Sequence, residues 1–201
     1  MQNIIFEKYH GNGNDFIIID ARDNNIFNNF LSDDIFKIKK LCDRNFGIGG
    51  DGVIFISEPK GNNYARMIIY NSDGSEAQMC GNGIRCLVQY LHDSNKNSNN
   101  SFEYRIETKA GIKIAQYLDD EITVRMGKPI LDTLSIPTTI DTKKESIPSY
   151  LFKEDNFEQQ GYAVGMGNPH LIFFLEDITK ISIHHFGPVF EKHKLFPEKT
   201  N

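Results

Sequence analysis

The stretch that follows Cys80 constrains the fold more than any other. In GNGIRCLVQYL, Ile84, Leu87, Val88 and Leu91 fall at the i, i+3, i+4 and i+7 spacing of one helical face. Cys86 and Tyr90 occupy other positions of the same turns, so this helix is apolar on most of its sides. A helix of that kind has to be enclosed. The enclosing elements are short runs rich in β-branched and aromatic residues: Asn3 to Phe6, Phe16 to Ile19, Val53 to Ile56, Arg66 to Tyr70, Glu103 to Glu107, Ile112 to Tyr117 and Ile122 to Val124. Asp119 and Asp120 suggest a hairpin turn between the last two. Strands wrapped around a central helix fit this order better than alternating βαβ units, and the fold class expected is α+β. A second helix is expected from Ser32 as N-cap, with Asp33 and Asp34 in its first turn, Ile35, Ile38 and Cys42 at helical spacing, and Gly47 as its stop.

A chain of 201 residues, 39% of them hydrophobic, is long enough for one large domain or two small ones. The pattern breaks at Met126-Gly127-Lys128-Pro129, which places a boundary between domains of residues 1–125 and 126–201. A weak internal repeat agrees: Gly13-Asn14-Asp15 precedes the apolar run Phe16 to Ile19, as Gly167-Asn168-Pro169-His170 precedes Leu171 to Leu175. No apolar run approaches the roughly 20 residues of a membrane span, and the start MQNIIFEKYHGNGND is unlike a secretory leader. A cytoplasmic protein is expected. Three cysteines, Cys42, Cys80 and Cys86, argue for reduced thiols rather than a disulfide framework. A formal net charge of −5, with no cluster of Lys or Arg, argues against nucleic acid or an anionic membrane as partner.

Gly47-Ile48-Gly49-Gly50-Asp51-Gly52 spells GxGxxG, but it follows a helix and enters a strand, the reverse of a dinucleotide fingerprint. It reads as a tight helix-to-strand turn. No metal is expected: CxxC and HExxH are absent, Cys80 and Cys86 stand about 240° apart around a helix, and His184-His185 reads as surface. Cys42 and Cys86 read as small buried hydrophobes. Cys80 differs. At the start of a helix, its sulfur would face unpaired N–H groups and the positive end of the helix dipole, which stabilise a thiolate. The same N–H groups suit a substrate carboxylate, and glycines at 81 and 83 permit close approach. Asn14, Asn71 and Asn82 stand at element edges beside Gly or Asp, as Asn168 does in the second half. Each alone could be a turn residue; with Cys80 they suggest a neutral, polar site for the amino and carboxylate groups of an amino acid.

YHGNGNDFIIID, FGIGGDG, YNSDGSEAQMCGNGIRC, GMGNPH and GPVFEKHKLFPEKTN occur in this order, and together they resemble the diaminopimelate epimerases over essentially the whole chain. The resemblance implies two pseudo-symmetric domains, each a mixed sheet or barrel around a central helix. It implies cofactor-independent interconversion of LL- and meso-diaminopimelate, in lysine and peptidoglycan-precursor synthesis, by a cytoplasmic homodimer. In such enzymes one cysteine from each domain faces each side of the substrate Cα: one thiolate removes the proton and the other thiol returns one. By resemblance Cys80 is one of the pair; Asn14, Asn71, Gly81, Asn82, Asn168 and Asn201 contact substrate; and His170 lies near the site. Where some relatives carry a substrate-touching glutamine, Gly52 offers no side chain.

No cysteine follows Cys86. Asn14 and Cys80 are 66 residues apart, so a counterpart the same distance after Asn168 would fall at about 234, past Asn201. The second domain is therefore expected to be incomplete, and this chain alone to be inactive as an epimerase. Two other readings keep the same residues: a racemase or epimerase of another amino acid on this fold, and a binding remnant without catalysis.

Overall fold

The computed structural model describes residues 4–22, 35–95, 101–141 and 147–201, in two compact units, Met1–Met126 and Gly127–Asn201. The first unit runs β1 (Glu7–Gly11), β2 (Asn14–Asp20), α1 (Ile35–Cys42), β3 (Gly52–Ser57), β4 (Ala65–Asn71), β5 (Glu76–Ala77), α2 (Gly81–Ser94), β6 (Ser101–Thr108), β7 (Gly111–Leu118) and β8 (Glu121–Arg125). These strands form one mixed sheet in the order β1-β2-β3-β4-β6-β7-β8, with β5 beside β4. The β2–β3 and β4–β6 pairs are parallel and the others antiparallel.

Two tight turns set the register. Asn12 and Gly13 have φ of 56° and 85° and join Gly11 to its partner Asn14. Asp119 and Asp120, at 47° and 66°, do the same between Leu118 and Glu121. Positive φ at both central residues is the turn whose twist matches that of the flanking strands, and Asn, Asp and Gly tolerate it best. The first turn corrects one expectation. The strand before it is Glu7–Gly11, whereas the apolar run that suggested a strand ends at Phe6. Pairing counted back from the turn fixes it, and at the edge of the sheet Glu7, Lys8 and His10 are all exposed.

The central strands are buried on both faces, because each face has its own helix. Phe16, Ile18, Ile54 and Ile56 pack with Ile84, Leu87, Val88 and Leu91 of α2. Ile17, Ile19, Val53 and Phe55 alternate onto the other face, against Ile38 and Cys42 of α1. The N-cap and acidic first turn expected for α1 at Ser32 to Asp34 lie outside the described residues. Helix α2 touches β1 and β2 at one end of the strand order and β7 and β8 at the other, so the sheet curls around it. The fold class is α+β. None of the described helices is long and apolar enough to cross a membrane.

The second unit has a three-stranded antiparallel sheet, in the order β11-β10-β9, made of β9 (Ser149–Glu154), β10 (Phe157–Gly165) and β11 (Pro169–Phe173). A single 3₁₀ turn (Ile178–Lys180) and helix α3 (Ile183–Glu191) follow. Its core is aromatic: Phe186 and Phe190 of α3 meet Phe157, and Phe190 also meets Phe152 and Phe173. A Cβ at Gly161 would stand 2.7 Å from the Phe152 ring and 2.8 Å from Leu171, so β10 needs glycine where these rings cross it.

Leu87 is fully buried at the centre of α2. Leu87→Ala should cost about 2–5 kcal/mol, read as a lower urea midpoint at unchanged slope. A cost below about 1 kcal/mol would show that α2 does not organise this core.

Candidate active site

Cys80 is the N-cap of α2, in extended backbone at φ −141°, ψ 121°. Its Sγ accepts from the Gly83 N–H at 3.3 Å, while its carbonyl accepts from Ile84 N at 2.9 Å and begins the helix. Among the described residues, the N–H groups of Gly81 and Asn82 have no acceptor. They are the orphan donors of a helix start, beside a half-buried sulfur. The glycines serve separate ends. A Cβ at Gly81 would meet only Met126, at 3.8 Å, so that side is open; one at Gly83 would press on Ile69, Ile54 and Cys80 at 3.1–3.3 Å.

Asn14 reaches this group from β2, directly after the Asn12-Gly13 turn. Its Oδ1 lies 3.8 Å from Cys80 Sγ, as acceptor of the thiol proton, and 3.4 Å from Asn82 Nδ2. Gly11 makes room: a Cβ there would be 3.2 Å from Asn82 Cβ. The sulfur thus has an N–H donor on one side, which favours the thiolate, and a carbonyl acceptor on the other, which favours the thiol.

Behind Asn14 stands a charged group missed in the sequence reading. Asn14 Nδ2 donates to Asp51 Oδ2 at 2.9 Å, and Asp15 N donates to the same oxygen at 3.1 Å. Arg44 bridges Asp51 at 2.9 Å and Asp15 at 2.7 Å, and Lys8 adds a 3.0 Å pair with Asp15. Chiefly through its bonds from Arg44, the Asp15 carboxyl is held well below the usual carboxylate range. The signal was present in FGIGGDG, which was read only as a turn. It is a turn: Ile48 and Gly49 donate to Leu41 O and Gly50 to Cys42 O, closing α1 before β3. Asn71 ends β4 at the same end of the sheet, since Gly52 pairs with both Phe16 and Asn71. Its Nδ2 donates to Ser75 Oγ at 3.0 Å, and no hydrogen bond among the described residues joins it to Cys80. A Cβ on Gly52 would stand 2.5 Å from Tyr70 O, so a larger residue there requires the backbone to shift.

The second unit gathers three of the other expected site residues. Asn168 Oδ1 lies 3.1 Å from His170 Nε2, and burial pulls the His170 imidazole below its ordinary value. Asn201 runs beside β11, its N donating to Pro169 O at 3.0 Å and its O accepting from Leu171 N at 2.7 Å. His185 pairs with Asp155 at 3.0 Å on the surface. Among the described residues no group of His, Cys, Asp and Glu is arranged to hold a metal ion.

Comparison with known proteins decides the relationship. The family model "Diaminopimelate epimerase" matches residues 6–131. A diaminopimelate epimerase of Prochlorococcus marinus (strain NATL2A) is 48% identical over 198 residues, covering 98% of this chain and 69% of the relative. One of Nostoc punctiforme is 44% identical, covering 98% and 70%. The chain belongs to the diaminopimelate epimerase family. Among solved structures, a hydroxyproline epimerase from Agrobacterium vitis has a TM-score of 0.55 at 14% identity, covering 93% of this chain and 54% of its own. A probable proline racemase from Agrobacterium radiobacter has a TM-score of 0.57 at 12% identity, covering 94% and 55%. These two share the fold; this chain spans just over half the length of each. Of the three thiols, Cys80 is the half-buried one. Cys42 and Cys86 are buried, 5% and 3% exposed, and inside the cores.

Burial pushes the thiols of Cys42 and Cys86 up to about 11. In the unfolded chain they ionise nearer 9.0. Between those values the native state holds more protons, so its stability falls as pH rises. The urea midpoint should hold steady up to about pH 8.5 and decline from about 9 through 11. Cys42→Ala with Cys86→Ala should flatten that decline; an unchanged slope would contradict the assignment.

Proposed function

We propose that this chain carries the Cys80 half of a PLP-independent diaminopimelate epimerase, which interconverts the LL and meso forms in lysine and peptidoglycan-precursor synthesis. The observation that carries the reading is the Cys80 cap itself: a sulfur with its own N–H donor, beside two unpaired helix-start N–H groups. A substrate α-carboxylate on the Gly81 and Asn82 N–H groups brings the Cα hydrogen toward Sγ. The thiolate takes that proton, forming S–H and breaking Cα–H, and the electron pair left on Cα spreads into the carboxylate. The helix-start N–H groups stabilise the charge that develops there. A proton delivered to the opposite face completes the inversion.

That second acid has to stand across the substrate from Cys80. Neither Cys42 nor Cys86 suits it, since both are enclosed. We infer that residues 1–201 supply one base of the two, that Asn14, Asn71 and Asn82 orient the reacting amino acid, and that Asn168, His170 and Asn201 form a substrate-contacting group of the second unit. A homodimer in the cytoplasm, without nucleic acid or membrane as partner, fits the family and the net charge of −5.

The test uses the 201-residue protein. Iodoacetamide should label Cys80 well before Cys42 and Cys86, and millimolar diaminopimelate should slow that labelling where L-proline and L-lysine do not. Net epimerisation by this polypeptide should be undetectable. Absence of protection, or equal protection by proline, would overturn the substrate; turnover would overturn the one-base assignment.

A further inference from the structure

We propose that Asp51 is a positioning residue for the Cys80 thiol, acting through Asn14: its carboxylate fixes which end of the Asn14 amide faces the sulfur. This deepens the epimerase reading and rests on Cys80 being the reacting thiol.

An asparagine amide has two chemically opposite ends of nearly equal shape. With Nδ2 toward Cys80, Asn14 would donate to the sulfur and hold it as thiolate. With Oδ1 toward Cys80, it accepts the thiol proton. The structure has the second arrangement, with Oδ1 3.8 Å from Sγ. Asn82 does not impose it, because that contact is long, at 3.4 Å, and Asn82 can itself turn over. Asp51 does impose it. An ionised carboxylate only accepts, so the end of Asn14 that it holds at 2.9 Å has to be the N–H₂ end. Arg44, pairing with Asp51 Oδ1 at 2.9 Å, holds the carboxylate in place.

Asp51 also staples turns through its backbone. Its N donates to Asp15 O at 2.8 Å and its O accepts from Ser72 N at 3.0 Å, bonds that any residue could make. Its side chain adds one more staple, with Asp15 N donating to Oδ2 at 3.1 Å, and the Asn14 bond to that same oxygen is the one that sets the amide orientation. The consequence is a sulfur with one partner for each protonation state: Gly83 N–H for the thiolate and Asn14 Oδ1 for the thiol. A group that must both take and return a proton needs both to be accessible. The charges on the network sit behind Asn14: Asp51, Arg44, Asp15 and Lys8 are bound to one another, and neutral amides separate them from the sulfur.

The test is a mutant cycle read on Cys80 alkylation by iodoacetamide, followed peptide by peptide from pH 6.5 to 9.5, with folding checked by circular dichroism. It needs no substrate, so its outcome is independent of whether diaminopimelate protects Cys80. Asp51→Ala frees the Asn14 amide to turn and should raise the neutral-pH rate about threefold or more, moving the profile to lower pH. Asp51→Asn keeps a carbonyl for the Asn14 N–H and should stay within about twofold of the native rate. In the Asn14→Ala background, Asp51→Ala should add nothing. If Asp51→Ala does not fold, Asp51→Leu takes its place. An effect that persists without Asn14, an Asp51→Asn rate equal to that of Asp51→Ala, or no change at all would overturn the proposal.

Discussion

The enclosure of α2 is the constraint on which the rest depends. Ile84, Leu87, Val88 and Leu91 are fully buried and Cys86 nearly so, and the sheet has to curl to cover them, from β1 and β2 at one end to β7 and β8 at the other. That curl delivers chemistry. A helix clamped along its length presents its first turn rigidly, and the Cys80 cap inherits that rigidity. The Asn12-Gly13 turn then fixes where β2 begins, which places Asn14 against the cap.

The site separates charge from chemistry. The groups hydrogen-bonded to the sulfur are neutral, the Gly83 N–H and the Asn14 amide, and so is the Asn82 amide that meets Asn14. The ionised groups, Asp15, Asp51, Arg44 and Lys8, neutralise one another in a network one hydrogen bond further back. Such a layout suits the proposed role, in which a zwitterionic amino acid is held through hydrogen bonds and no fixed charge stands against the thiol.

Much of the first unit was legible in the sequence because its signals are local. The spacing of Ile84, Leu87, Val88 and Leu91 gave α2, and Asp119-Asp120 gave the β7–β8 turn. Phe16 to Ile19 and Val53 to Ile56 gave β2 and β3. The position of β1 was not legible, because a turn two residues long, not apolarity, sets its register. In the second unit, Gly187 and Pro188 interrupt the pattern of α3, whose helical state rests on Phe186 and Phe190 packing into the aromatic core. Cys80 stood out from its neighbours alone. Asp51 did not, since its partner Asn14 is 37 residues away and only the β2–β3 pairing joins them.

The measurement that bears most directly on the account is a crystal structure of the protein grown with α-methyl-diaminopimelate, an analogue with no Cα hydrogen to lose. The account predicts the α-carboxylate on the N–H groups of Gly81 and Asn82, with the substituent on Cα about 3.5–4 Å from Cys80 Sγ, at the edge of reacting distance. An analogue bound away from the start of α2, or with its carboxylate turned from those N–H groups, would contradict it.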